Sequence, residues 1–335
     1  MTDIVRSNSK AALFALAAFG LFATHDVGVK VLGQSYAPFQ IIFFSVLFGY
    51  PLATIMLMRD PTPGTLRPVH PWWSALRTAA TMLTGISAFY AFSVLPLAQV
   101  YAFIFAAPLL ITILSIPILG EKVGLHRWGA VIVGLCGVLI VIRPGTAALS
   151  LGHLAGLGAA VGSAFASVIV RKIGNEERSA VLMLYPMTAS FVAMAAVMPL
   201  VYQPMPMADL GLVALVAAMA FGATLLVIGA YRRGDAAIVA PMQYSQIIWA
   251  AAYGYLFFGE VPDAATALGA AIIIGSGLYI LARETLLGSQ SASPVTSTRS
   301  RAATIASPRI STLLRAQANR VPPGHEALAN DPKEQ

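Results

Sequence analysis

Two stretches of this chain, 98–143 and 237–283, carry one pattern: an apolar run ending in Gly-Glu, a short polar turn, and a second apolar run ending in Arg. Up to the break the copies align at an offset of 139, pairing Ala98 with Ala237, Gly120 with Gly259 and Glu121 with Glu260. Beyond one inserted residue the offset is 140, pairing Gly129 with Gly269, Gly137 with Gly277 and Arg143 with Arg283. A fixed spacing of this kind marks two copies of one structural unit. Neither copy has the charge of a water-soluble fold. Charged residues are 10% of the chain and hydrophobic residues 58%, against about 25% charged in a soluble domain.

Nearly uncharged runs recur from Ala11 to Leu281, and about 20 residues of helix cross the hydrocarbon core of a bilayer. The pattern predicts an all-α polytopic membrane protein with ten transmembrane helices over 11–32, 38–58, 72–95, 98–119, 128–142, 151–170, 180–202, 211–230, 236–258 and 264–281. Arg6 and Lys10 ahead of an apolar run resemble a secretory signal; with nine further spans behind it, the run reads as a retained first helix after a flank of residues 1–10. Trp72 and Trp73 suit the headgroup level, where an indole buries its ring and keeps its N–H wet. With the N-terminus in the cytoplasm, 19 of the 21 basic residues fall on the inner side, leaving Lys30 and Arg143 outside. That bias predicts both termini cytoplasmic in the cell inner membrane. It also accounts for the net charge of +7 without a nucleic-acid partner.

Five helices per half is an odd number, so the second half enters the bilayer from the opposite side. The units 11–145 and 151–283 are therefore expected as inverted repeats, an arrangement that favours a solute site near mid-membrane between the halves. Residues 284–335 turn to Ser, Thr, Ala, Pro and scattered Arg and are expected to be a disordered cytoplasmic tail. The single cysteine, Cys136, makes no intrachain disulfide.

Leu95-Pro96-Leu97-Ala98, Pro108, Leu119-Gly120-Glu121, Gly129 to Gly137 and Arg143-Pro144-Gly145 resemble the first repeat of the drug/metabolite transporter superfamily, EamA type. Gly234-Asp235-Ala236-Ala237, Ala240-Pro241, Phe257-Phe258-Gly259-Glu260, Pro262-Asp263 and Gly269 to Gly277 resemble its second repeat. The resemblance implies a secondary active transporter that moves a small organic metabolite by alternating access, coupled to a proton or exchange gradient. It implies a cavity lined by helices one, three, four, six, eight and nine. The end of span one, His25-Asp26-Val27 to Lys30, and the Gly-Asp-Ala-Ala stretch are similar to subgroups that include S-adenosylmethionine and riboflavin carriers; His25 stands where an Asn is common. An exporter of amino acids or toxic organic cations is the other reading within the family.

Ionisable groups inside a bilayer mark candidate function, since each costs about 2.5–3.5 kcal/mol on insertion scales unless it is paired or faces water. Span one carries His25, Asp26 and Lys30. Asp26 or His25 would bind a cationic group or take up the coupling proton; the competing reading is a local Asp26–Lys30 bridge one turn apart. Arg77 shares a polar face with Thr81 and Thr84 in span three, and either attracts an anion at the inner gate or snorkels to lipid phosphate. Pro108 and Pro241 should kink spans four and nine and free backbone carbonyls. Near them lie Gln99, Tyr101, Phe105 and Thr112, and then Gln243, Tyr244, Gln246 and Trp249. Aromatic rings beside amides suit a flat heteroaromatic solute, with interhelical packing as the alternative. Glu121 and Glu260 are placed at helix ends. Gly152/Gly156 and Gly158/Gly162 are small-xxx-small packing pairs. No nucleotide-binding loop, HExxH or nucleophile motif occurs, so the chain reads as a non-enzyme without cofactor or metal, its partners being a solute and the bilayer. A membrane receptor or scaffold is the remaining class, and monomer and homodimer both stay open.

Overall fold

A computed structural model describes residues 2–58, 65–121, 123–143, 150–234 and 236–286. Among these residues are twelve α-helices: α1 (Thr2–Gly33), α2 (Pro38–Met58), α3 (Pro71–Val94), α4 (Leu97–Ile104), α5 (Ala107–Leu119), α6 (Leu125–Ile142), α7 (Leu151–Ile173), α8 (Ser179–Val201), α9 (Met207–Arg233), α10 (Ala236–Val239), α11 (Gln246–Phe258) and α12 (Ala264–Leu286). A 3₁₀ turn, Ala240–Ser245, joins α10 to α11. Counting α4 with α5, and α10 with the 3₁₀ turn and α11, gives ten segments, five in each inverted half. Eight of these are long and apolar enough to cross a membrane by length and composition. α3, which carries Arg77, and the interrupted segment 236–258 make up the ten. The stretch expected to be a disordered tail lies outside the described residues beyond Leu286, and α12 runs three residues past Arg283.

Proline and glycine set the punctuation. Leu95 takes an extended conformation, φ −108° and ψ 157°, as the residue before Pro96 must to avoid the proline ring. Pro108 sits in the first turn of α5, where the missing N–H removes no helical bond, and the span breaks just ahead of it at Phe105–Ala106. Pro241 sits likewise in the first turn of the 3₁₀ segment. Gly120 and Gly259 end α5 and α11 in the left-handed conformation, at φ 71° and 65°, which a side chain would strain. The N–H groups of Glu121 and Glu260 then reach back to Ser115 O and Gly254 O, closing each helix as a Schellman motif does. The repeated Gly-Glu is thus a helix stop that delivers a carboxylate.

Packing follows a two-fold relation between the halves. The most extensive contacts are α1 with α9 and its mate α3 with α7, then α6 with α12. α5 packs on α7 as the 3₁₀ turn and α11 pack on α1, and α2 meets α8 across the axis. Two bundles result: α1, α9 and α11 in one, α3, α4, α5 and α7 in the other. Each draws helices from both halves. Apolar burial does not drive helices together in lipid, so close van der Waals fit must. α7 supplies it through its glycines: a Cβ on Gly156 would meet the Phe103 ring, and one on Gly162 would lie 2.9 Å from Ala80 O. α6 and α12 cross at Gly137 and Gly269, where a Cβ on Gly269 would come 2.6 Å from Gly137 O.

That crossing yields a test. Gly269→Val should cost about 1–3 kcal/mol of stability, read as a lower melting temperature in detergent. Gly275→Ala on the same helix, with nothing within 4 Å of its Cβ, should not lower it.

Candidate functional site

The C-terminal third of α1 carries a buried polar group that joins the two bundles. His25 and Asp26 are each 1% exposed. His25 Nδ1 lies 2.7 Å from Asp26 Oδ1, and the Tyr101 hydroxyl of α4 donates to Asp26 Oδ2. The carboxylate is held by a donor on its own helix and one on the opposite bundle, the satisfaction a buried charge needs. The imidazole also sits edge-on to Phe89 of α3, 6.4 Å between ring centroids. Aromatic rings continue from there: Phe92 and Phe105 flank Tyr101, and Phe105 meets Tyr244 at 5.1 Å. The Tyr244 hydroxyl rests where a Cβ on Gly277 would stand.

One turn further along α1, Lys30 pairs with Glu260 at 2.7 Å rather than with Asp26. Lys30 also donates to Leu95 O at 2.5 Å, and Glu260 accepts the Leu97 N–H at 3.0 Å. This pair therefore grips both sides of Pro96 in the turn between α3 and α4. Its two-fold mate is on the other face, where Arg171 at the end of α7 meets Glu121 at 2.5 Å. The side chains are buried at both places: Lys30 and Arg171 are 7% and 6% exposed. Neither basic partner was legible as such, because each lies more than 45 residues from its acid and in the other half.

Further ties cross between halves. On the Lys30 face the Tyr36 hydroxyl donates to Asp209 at 2.5 Å, and that bond raises the phenol above its ordinary pKa. On the Arg171 face Glu177 accepts the His70 N–H at the start of α3. Asp263 caps α12 through the Thr266 N–H and pairs with Arg143; the cap first, then the guanidinium, hold its carboxyl below the usual carboxylate range.

The remaining candidates separate. Arg77 is 9% exposed and donates to Leu182 O of α8, so it ties α3 to the other half. Gln246 is buried at 6% while Trp249, at 38%, lies on the flank of α11 against Gly20 and beside Tyr253. Gln243, in the 3₁₀ turn, is half-buried. The structure thus brings His25, Asp26, Tyr101 and Tyr244 into one chain of contacts, with Arg77 and Trp249 away from it. His153, which reasoning from sequence passed over, caps α7 with Ser150 and reaches Gln99 at 3.1 Å; a Ser three residues before a His is too weak a signal to have found it.

The model of the EamA-like transporter family matches residues 9–143 and again 150–282. The chain belongs to this family. It is similar to an S-adenosylmethionine uptake transporter of Rickettsia bellii, 25% identical over 284 residues, which are 85% of this chain and 97% of that one. It is similar to a pseudopaline exporter of Pseudomonas aeruginosa, 26% identical over 81% of this chain and 95% of that one. A riboflavin transporter of Vibrio cholerae is 31% identical over 57% of this chain and 64% of its own length. One solved crystal structure superposes with a TM-score of 0.56, covering 84% of this chain and 99% of its own at 20% identity, a likeness of fold. The protein is a multi-pass membrane transporter for a small metabolite.

Because Tyr101 is the donor from the second bundle, Tyr101→Phe removes a hydrogen bond to the Asp26 carboxylate that crosses between bundles. It should lower stability by roughly 1.5–3 kcal/mol, as expected for a hydrogen bond to a charged group. Thermal unfolding of the purified protein in detergent checks this, with Tyr253→Phe as the comparison at a half-buried hydroxyl.

Proposed function

We propose that this transporter is a secondary carrier of the cytoplasmic membrane, both termini inside, that moves a vitamin- or nucleoside-like metabolite of the riboflavin or S-adenosylmethionine type. The observation that carries this is the carboxylate of Asp26, buried within span one and shared between His25 of its own helix and Tyr101 of the opposite bundle. Imidazole is the side chain whose ordinary pKa of about 6.5 places its charge change near neutral pH. A proton taken by the His25–Asp26 pair changes the hydrogen bonds that cross between the bundles, which couples proton binding to their separation. The rings of Phe105 and Tyr244, buried and packed edge-to-face here, become stacking faces for a flat heteroaromatic solute when the bundles part, and the relatives named for S-adenosylmethionine and riboflavin carry such solutes. Gln243 in the 3₁₀ turn and Gln246 at the start of α11 lie close to Tyr244 in the chain and supply supporting polar contacts, while Arg77 and Trp249 stand apart from this group.

Export of an amino-acid-derived metabolite is the second reading, favoured by the pseudopaline exporter matched over 95% of its length. One assay separates the two. Proteoliposomes containing only this protein are loaded with, or bathed in, labelled riboflavin or S-adenosylmethionine, and competed with pooled vitamins, nucleosides and amino acids under an imposed pH gradient. The first reading expects gradient-stimulated uptake of one labelled solute, lost on Asp26→Asn and flattened in pH on His25→Ala. Flux and pH profile unchanged by both substitutions would remove the role given to span one. Competition by amino acids alone would select the export reading.

A further inference from the structure

The Lys30–Glu260 and Arg171–Glu121 pairs occupy equivalent places but, among the described residues, do not make equivalent contacts. Val29-Lys30-Val31-Leu32-Gly33 at the end of α1 matches Val170-Arg171-Lys172-Ile173-Gly174 at the end of α7, at an offset of 141. The carboxylates match through Gly120-Glu121 and Gly259-Glu260, both presented by a left-handed glycine. The turns they face match as well. Leu95, which closes α3, and Gly234, which closes α9, are 139 apart, and both are extended, at φ −108° and −151°. On the Lys30 face the pair holds its turn through Leu95 O and the Leu97 N–H. On the Arg171 face the guanidinium is 6% exposed, yet its Nη1 is buried with no hydrogen-bond partner among the described residues. A buried donor left unsatisfied in this way loses its water without gaining a partner. Helix packing agrees with the difference. α1 lies against α3, so closely at Gly33 that a Cβ there would collide with Ser93, whereas α7 and α9 do not make the mate of that contact to a comparable extent.

We infer that the two pairs are clamps that act in turn, and that this structure is closed on the Lys30 face and released on the Arg171 face. The missing partner of Arg171 Nη1 is the carbonyl of Gly234, the two-fold equivalent of Leu95 O. When α9 closes on α7, that carbonyl accepts from Nη1, and the turn around Pro96 leaves Lys30 and Glu260. The clamp residues thereby position the gates of the transporter. The inference rests on the family's transport activity but not on any particular solute or on which face is cytoplasmic.

Spin-label distances in the full-length chain in lipid nanodiscs test it without a substrate. In a Cys136→Ser background, Gln34→Cys with Val94→Cys reports the Lys30 face, and Asn175→Cys with Arg232→Cys the Arg171 face. Glu260→Ala, and independently Lys30→Met, should add a longer-distance population to the first pair and a shorter-distance population to the second. Adding Arg171→Met should remove that shorter population and leave the first pair long. Three results overturn the inference: both pairs unchanged in the single variants, the first pair lengthened with no change in the second, or a shorter second distance that survives Arg171→Met. Solute flux in proteoliposomes, measured separately, bears on the transport reading and not on this one.

Discussion

A charge inside a bilayer has to be answered from within the protein, because lipid offers it nothing. This constraint organises the molecule. Lys30, Asp26, Arg77 and Arg171 are each nine-tenths buried or more as residues or side chains, and the partners described for them are a neighbouring imidazole, a carboxylate, a phenol or a main-chain carbonyl. Most of those partners lie across the boundary between bundles or between halves. In low dielectric the attraction between such pairs is strong, yet the cost of taking both charges out of water is of similar size. The net contribution to stability is therefore small beside the specificity it confers. Apolar contacts would let the helices slide, while the paired charges admit few registers.

Shape and charge divide the work along this line. Glycines on α6, α7 and α12 let backbones approach until carbonyl oxygens meet Cα atoms, and that fit supplies the adhesion that the hydrophobic effect does not supply in lipid. These contacts are broad and depend on no titratable group. The contacts between the α1 bundle and the α3 bundle combine a shared apolar core, where Val29 and Leu32 lie with Phe92 and Leu97, with polar contacts through Asp26, Tyr101, Leu95 and Glu260. The polar contacts within that shared face are a physical basis for alternating exposure: charged partners can be exchanged there while the glycine contacts between helices are kept.

Much of this was legible in the chain. Ten spans, the odd number per half and the Gly-Glu repeat follow from apolar run lengths and one offset, and Gly120 and Gly259 fulfil the turn that a Gly-Glu at a helix end implies. The breaks in two spans were harder to read. Hydropathy is continuous over 97–119, and only Pro108 hints that the backbone parts at Phe105. The charge pairs were the least legible. One-turn spacing offers Asp26 to Lys30, but a local partner loses to Glu260, 230 residues away, because the inverted fold brings α11 beside α1. Trp249 shows the same limit from another side: helical spacing aligned it with Gln246, but the 3₁₀ turn and α1 decide that it lies on the flank.

The crossing of the halves by the charge pairs bears on how such a sequence drifts. Lys30 in the first half is neutralised by Glu260 in the second, and Arg171 in the second by Glu121 in the first. Neither half holds a complete set of counter-ions. A lineage that alters the sign at one of these four positions must alter a position in the sister half as well, so the two copies of the ancestral unit are bound to diverge in step at these sites while the rest of each copy is free to wander.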